Sequence, residues 1–196
     1  MGKSIKGTQT EKNLMAAFAG ESMARNRYDY FSNAARSGPD KEGYEQMVNI
    51  FAETANNEKI HARMFLRYLE GGDVQITTTY PAVLIKDTKT NLEASADGEK
   101  MEWSTTYINF AKTARDEGFP DVANTFEQIA KAEKFHEARF RKLLDNLNKG
   151  EVFKKNTPVM WHCSNCGYVM EGTEAPKMCP ACRHPMYYYE LIPDNY

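Results

Sequence analysis

The sequence predicts a mainly α protein: an antiparallel four-helix bundle with a long crossover, followed by a small irregular or β module held together by metal. Three observations point there. Four stretches carry helical periodicity over roughly 27 residues each, enough for helices of about 40 Å. The pattern Glu-x-x-His occurs twice, at Glu58-Lys-Ile-His61 and Glu133-Lys-Phe-His136, 75 positions apart. Four cysteines, in a chain of 196 residues, are confined to positions 163–182.

Thr8-x-x-Glu11 has the form of a capping box. Apolar residues at Leu14, Ala17, Phe18, Met23, Tyr28 and Phe31 carry a first helix from it to Ser37, where Gly38-Pro39 stops it. A second helix runs from about Asp40 through Tyr44, Met47, Ile50, Phe51, Ala55, Ile60, Met64, Phe65 and Leu69 to Gly71-Gly72. Residues 73–89 read as extended or irregular, with a largely β-branched run from Val74 to Thr79 and then Pro81. Thr90-x-x-Glu93 offers a second capping box to start a third helix, which closes near Gly118. Pro120 suits the first turn of a fourth, running through Val122, Phe126, Ile129, Phe135, Phe140, Leu143 and Leu147 to Gly150.

Short connections at 38–40 and 118–120 make antiparallel hairpins, and the long middle segment crosses from one end of the bundle to the other. Residues 1–150 thus form the bundle, 151–157 a linker, and 158–196 a second module rich in Pro, Gly, Cys and Tyr. So short a module has too few apolar residues for a core and needs a metal or disulfides.

Composition narrows the function. A formal net charge of −2, with acidic and basic residues interleaved, offers no basic stripe for nucleic acid. No apolar run approaches the roughly 20 residues of a membrane span, and the first residues, Met1 to Gly7, lack the apolar core of a signal peptide. The expectation is a cytoplasmic protein without a membrane or nucleic-acid partner. There cysteines stay reduced, so the four clustered ones are expected as metal ligands rather than disulfides.

The bundle repeats internally. Phe51 and Phe126 share the 75-residue offset of the two Glu-x-x-His pairs, and Gly20-Glu21-x-Met23 recurs as Gly98-Glu99-x-Met101 at an offset of 78. Each hairpin therefore brings one Gly-Glu helix and one Glu-x-x-His helix. The copies differ at Ala24, whose counterpart is Glu102. Residues three apart share a helix face, so Glu58 with His61 and Glu133 with His136 are each a two-toothed ligand. Glu21 and Glu99 lie among apolar neighbours, where an unpaired carboxylate is costly. One Glu from each of two helices plus Glu-x-x-His from two others is the ligand set of dinuclear carboxylate bundles. Carboxylate and imidazole donors without thiolate suit iron or manganese; zinc could occupy the site but could not change oxidation state.

A single Glu-x-x-His is usually a solvated face, and it is the repetition in register that singles these out. Glu11, Glu45, Glu53, Glu70, Glu117, Glu127 and Glu137 have no such repeat and read as surface charge. Tyr28 and Tyr107 are placed either to hydrogen-bond ligand carboxylates or to serve as core aromatics. Met15, Met23, Met47, Met64 and Met101 read as core packing.

Cys163-Ser-Asn-Cys166-Gly-Tyr168 and Cys179-Pro-Ala-Cys182 are two knuckles presenting four thiolates to one ion. Zinc ribbons share this spacing. Gly167-Tyr168, Pro180, Trp161 and Tyr187 to Tyr189 look like a rubredoxin, whose single iron cycles between ferrous and ferric states. His162 and His184 flank a site already complete and read as surface residues.

With both modules in view, the whole chain resembles rubrerythrin, a ferritin-like di-iron bundle followed by a rubredoxin-like domain. The resemblance rests on Phe18-Ala-Gly-Glu21-Ser-x-Ala-Arg-Asn-Arg-Tyr28, Phe51-Ala-Glu-Thr-Ala55, both Glu-x-x-His pairs, Gly98-Glu99-x-x-Glu102, and both cysteine knuckles. It implies that Glu58 and Glu133 bridge two irons, with Glu21 and Glu102 on one and Glu99 and His136 on the other. It implies further that His61 replaces Glu102 when its iron is reduced.

The expected function is a peroxidase that reduces hydrogen peroxide to water, drawing electrons through the four-cysteine iron from an upstream donor such as a reduced rubredoxin or an NAD(P)H-linked reductase. The alternative is a ferroxidase or iron-handling protein of the ferritin type, and a third class is a zinc-ribbon binding or scaffold protein. The resemblance also implies a head-to-tail homodimer or larger assembly.

Overall fold

The computed structural model describes residues 3–36, 38 and 42–192. Its elements are α1 (Gln9–Ala35), α2 (Glu45–Leu66), α3 (Thr88–Met101), a π-helical turn (Glu102–Thr106), α4 (Tyr107–Asp116), α5 (Pro120–Asn148), β1 (Lys154–Cys163), β2 (Val169–Glu174), a 3₁₀ turn (Met186–Tyr188) and β3 (Tyr189–Leu191). α1 lies against α2, and α3 and α4 lie against α5. Ser37, Pro39 and Asp40, which marked the end of the first helix and the start of the second, lie outside the described residues.

Local chemistry sets the helix ends. Thr8 caps α1 by accepting from the Glu11 amide at 3.1 Å, and Glu11 Oε2 reaches back to the Gly7 amide at 2.8 Å rather than to Thr8 itself. α3 begins earlier than Thr90: Asp87 is its N-cap, accepting from the Thr90 amide at 2.9 Å. A carboxylate there also complements the helix dipole. Pro120 opens α5 as expected. Residues 73–87 form no strand. Tyr80 in this crossover donates its hydroxyl hydrogen bond to the Ala16 carbonyl of α1.

The bundle core consists of two apolar clusters. One contains Leu14, Phe65, Tyr107, Ala111, Val122 and Phe126; the other contains Tyr28, Phe31, Met47, Phe51, Leu92 and Phe140. Phe51 and Phe126, the repeated pair, fall one in each. Burying each such ring contributes about 2–3 kcal/mol. Several expectations fail at the surface. Ile60, Phe135, Met23 and Met101 lie on helical apolar positions yet are exposed, so only part of the methionine set packs in the core. Conversely, Glu11 and Glu45 are buried rather than surface charges.

The C-terminal module is a three-stranded antiparallel sheet in the order β2-β1-β3 around Trp161, Cys163, Cys179 and Tyr189. β1 begins at Lys154, within the stretch expected as linker. The module meets the bundle where Tyr44 stacks on Phe153 with ring centroids 6.1 Å apart. Gly43 has φ +81°, and a Cβ there would come within 2.7 Å of the Tyr187 ring, so this contact requires glycine.

Candidate metal centres

The two Glu-x-x-His pairs meet inside the bundle together with Glu21 and Glu99. Glu21, Glu58, His61 and Glu133 form one group of converging donor atoms, and Glu58, Glu99, Glu133 and His136 form another. Glu58 turns Oε2 to His61 Nδ1 at 2.9 Å and Oε1 to His136 Nδ1 at 3.3 Å. Glu133 turns Oε1 to His61 Nδ1 and Oε2 to His136 Nδ1, both at 2.8 Å. Each of these carboxylates thus spans both groups. Glu21 completes the first and Glu99 the second, each 3.8 Å from the local Nδ1.

These contacts fit metal binding better than ordinary hydrogen bonding. Both oxygens of Glu58 and of Glu133, Oε2 of Glu21 and of Glu99, and Nδ1 of both histidines are buried without a hydrogen-bond partner. Their close approach is therefore not aligned along an N–H bond. With metal–ligand bonds of about 2.0–2.2 Å, neighbouring donors around one ion lie roughly 3 Å apart, the spacing found here. Leaving this many buried carboxylate atoms unpaired would be strongly unfavourable without cations.

Electrostatics agree. Burial pushes Glu21 well above the ordinary carboxylate range, and the Glu133, Glu58 and Glu102 carboxylates add to the shift while Tyr107 opposes it. Burial likewise raises Glu99 to about 8, against the pull of His136. For His61 burial opposes the charged form, but Glu133 and Glu58 outweigh it and raise the group to about 10. Glu133, Glu58 and Glu99 overcome the burial of His136 in the same way and raise it to about 12. Without metal, protons occupy the site in place of cations.

The two tyrosines hold the carboxylates crosswise. Tyr107 donates to Glu21 Oε1 at 2.5 Å, and Tyr28 donates to Glu99 Oε1. Each phenol is buried and links one Gly-Glu helix to the carboxylate of the other. Asn57 was not anticipated: its side-chain amide lies 3.3 Å from His136 Nε2, where it can fix the ring while Nδ1 faces the carboxylates. Its only signal in the sequence is its place directly before Glu58.

Glu102 belongs to neither group among the described residues; His61 stands with Glu21 instead. It lies on the π-helical turn, where the Tyr107 amide donates to the Glu102 carbonyl five residues back. Eight residues separate Glu99 from Tyr107, whereas seven separate Glu21 from Tyr28. The extra residue is absorbed as a π turn, so the helix still brings Tyr107 onto the site. That one-residue excess was legible in the sequence.

In the C-terminal module, Cys163 and Cys182 sulfurs are 3.9 Å apart and those of Cys166 and Cys179 3.7 Å apart. All four are free thiols. A tetrahedral ion with metal–sulfur bonds of about 2.3 Å needs sulfurs roughly 3.8 Å apart, whereas a disulfide needs about 2.05 Å. The His184 backbone amide lowers the Cys182 thiol to about 6, which favours the thiolate a metal binds. His184 is not a free surface residue: its ring sits edge-on to Tyr188, with centroids 4.9 Å apart, and Asn165 Nδ2 lies 3.2 Å from its Nδ1.

The family model described as Rubrerythrin matches residues 12–144, and the rubredoxin-like domain of rubrerythrin matches residues 161–190. The chain belongs to the rubrerythrin family. It is 50% identical to rubrerythrin of Porphyromonas gingivalis over 196 residues, covering 100% of this chain and 96% of that one. Rubrerythrin of Clostridium perfringens is 52% identical over 198 residues, covering 99% and 100%. Among solved structures, fully reduced, all-ferrous nigerythrin matches with a TM-score of 0.62 at 28% identity, covering 97% of this chain and 92% of that one. The fold is the ferritin-like di-iron fold. Membership in a family with a di-iron site and a four-cysteine rubredoxin-like site implies iron. Among the described residues no helix is long and apolar enough to cross a membrane.

Proposed function

We propose that this chain is a di-iron peroxidase of oxidative-stress defence that reduces hydrogen peroxide to water in the cytoplasm, with electrons relayed through the four-cysteine iron. The observation that carries this reading is the pairing, in one chain, of a nitrogen-and-oxygen dinuclear site with a four-thiolate site. Glu21, Glu58, His61, Glu99, Glu133 and His136 would hold the first site, with Glu102 beside it as a further candidate ligand, and Cys163, Cys166, Cys179 and Cys182 would hold the second. When bound, the iron pair supplies two electrons to the peroxide bond. Two electrons and two protons convert one hydrogen peroxide to two waters.

The protein's part is placement. Glu58 and Glu133, which belong to both donor groups, would be shared by the two ions, and Tyr28 and Tyr107 fix the carboxylates of Glu99 and Glu21. Glu102 stands outside both donor groups while His61 stands with Glu21, so either side chain would be available to the first ion, in keeping with the exchange that the family resemblance implies. A donor of the rubredoxin or NAD(P)H-reductase class would supply electrons singly to a metal held by Cys163, Cys166, Cys179 and Cys182.

The carrier module sits at Tyr44, fourteen residues before Glu58 on one helix, about 20 Å along its axis. Tunnelling falls steeply with distance. A head-to-tail homodimer that sets one subunit's carrier beside its partner's iron pair removes the gap. Mixed dimers of C163A and E58A subunits should retain activity; an inactive mixture contradicts transfer between chains. The reaction itself is tested by anaerobic stopped-flow: reduced protein should be oxidised by stoichiometric peroxide much faster than by dioxygen. Equal or preferential reaction with dioxygen would overturn the peroxidase reading and favour iron oxidation.

A further inference from the structure

The glycine of each Gly-Glu pair faces a polar side chain, closely at Gly20 and at ordinary contact at Gly98. A Cβ on Gly20 would lie 3.2 Å from Tyr80 Cε1, and one on Gly98 would lie 3.6 Å from the Arg27 guanidinium. Both side chains line a cavity of about 180 Å³ against the metal site, and Glu102 and Tyr107 form part of its wall. Tyr80, held by the Ala16 carbonyl, covers it from the crossover. Arg27 has no ion pair among the described residues, and its Nε is buried without a partner. Much of the remaining wall is apolar, with Ala16, Phe110 and the thioethers of Met23 and Met101, whose exposure marks the mouth.

Hydrogen peroxide, little larger than water, needs far less room. A dry apolar cavity of about 150 Å³ admits a benzene molecule, so this one has space for a short branched alkyl group. We propose that the cavity is a substrate chamber for small organic hydroperoxides, with the alkyl group against Met23, Met101 and Phe110 and the peroxide end held by Arg27 toward Glu102. This rests on the peroxidase reading and extends its substrate class. The balanced reaction is ROOH + 2 e⁻ + 2 H⁺ → ROH + H₂O. The O–O bond breaks, the alkyl-bearing oxygen leaves as alcohol, and the other leaves as water. Electrons come singly from the four-thiolate module and its rubredoxin-class donor, and protons from solvent at the mouth.

Fully zinc-loaded protein, labelled at its methionine methyl carbons, should be titrated with tert-butanol, the product of tert-butyl hydroperoxide. Saturable shifts at Met23 and Met101, with Met47 and Met64 unmoved, are expected; absence of saturable shifts overturns the chamber. In iron-loaded protein supplied with reduced rubredoxin, tert-butyl hydroperoxide should be reduced. Ala16→Phe should lower the ratio of its kcat/KM to that for hydrogen peroxide by at least about tenfold, as expected when several methyl groups lose their pocket. An unchanged ratio in a variant of normal iron content overturns the proposal. Reduction of hydrogen peroxide alone overturns the alkyl chamber and leaves the peroxidase reading standing; reduction of neither peroxide overturns both.

Discussion

Loading the bundle site with metal should expel protons, and their number follows from its electrostatics. At pH 7 without metal, His61 at about 10 and His136 at about 12 are charged, and Glu99 at about 8 is largely neutral. Burial and the neighbouring Glu133 and Glu58 carboxylates raise Glu21 in the same direction. Metal ligands are neutral imidazoles and ionised carboxylates, so binding two ions releases roughly three protons at pH 7 from His61, His136 and Glu99. Affinity must therefore rise with pH. The metal-free protein behaves in the opposite sense: groups raised on folding bind protons in the native state, so their contribution is full below their unfolded values. It is lost as pH rises through about 8, 10 and 12. Against its burial, Glu133 is held down by the His136 and His61 imidazoles and opposes this trend. The assay is a manganese titration in weak buffer with a pH indicator, after zinc has filled the cysteine site, since manganese favours carboxylate and imidazole. Release of fewer than about one proton per manganese pair would refute the reasoning, because the histidines would then be neutral and the carboxylates already charged.

Gly98→Ala should stabilise the bundle by about 0.5–1 kcal/mol in urea unfolding, because its new methyl meets Arg27 at ordinary contact. Gly20→Ala should lose that gain, since Tyr80 must yield; equal stabilisation of both would show that Tyr80 is not seated on Gly20. Tyr107→Phe removes the Glu21 hydrogen bond and should weaken metal binding at that group by about tenfold, read by competition with a chelator. Glu117 accepts from the Gln9 and Thr10 amides and the Thr10 hydroxyl. Glu117→Ala should cost about 1–2 kcal/mol of stability with metal affinity unchanged.

The site was more legible than its surroundings because ligand spacing is a local property. Three-residue spacing on a helix fixes a shared face, so each Glu-x-x-His pair is legible as a two-toothed ligand from the sequence alone. The same holds for Cys163, Cys166, Cys179 and Cys182. Periodicity was less reliable for burial, because Met23, Met101, Ile60 and Phe135 satisfy a helical apolar pattern without a neighbour to cover them. Glu11 was misjudged for the converse reason: its partner, the Gly7 amide, is a backbone group that composition does not reveal. Tyr80 reaches the cavity from the crossover and Arg27 from α1 toward Gly98 of α3, long-range contacts with no local signature. The π turn was written in the sequence, but as one residue of excess spacing, visible only when the two Gly-Glu helices are aligned through their tyrosines.

The central claim is that one chain holds an iron pair bridged by Glu58 and Glu133 and a separate four-thiolate iron. Mössbauer spectroscopy of ⁵⁷Fe-loaded, oxidised protein tests it most directly. Two ligand groups that share both bridges, plus one cysteine group, require a spin-coupled pair and a mononuclear high-spin thiolate iron in a 2:1 area ratio. Uncoupled iron in the bundle, or a cysteine site that takes no iron, would contradict the account.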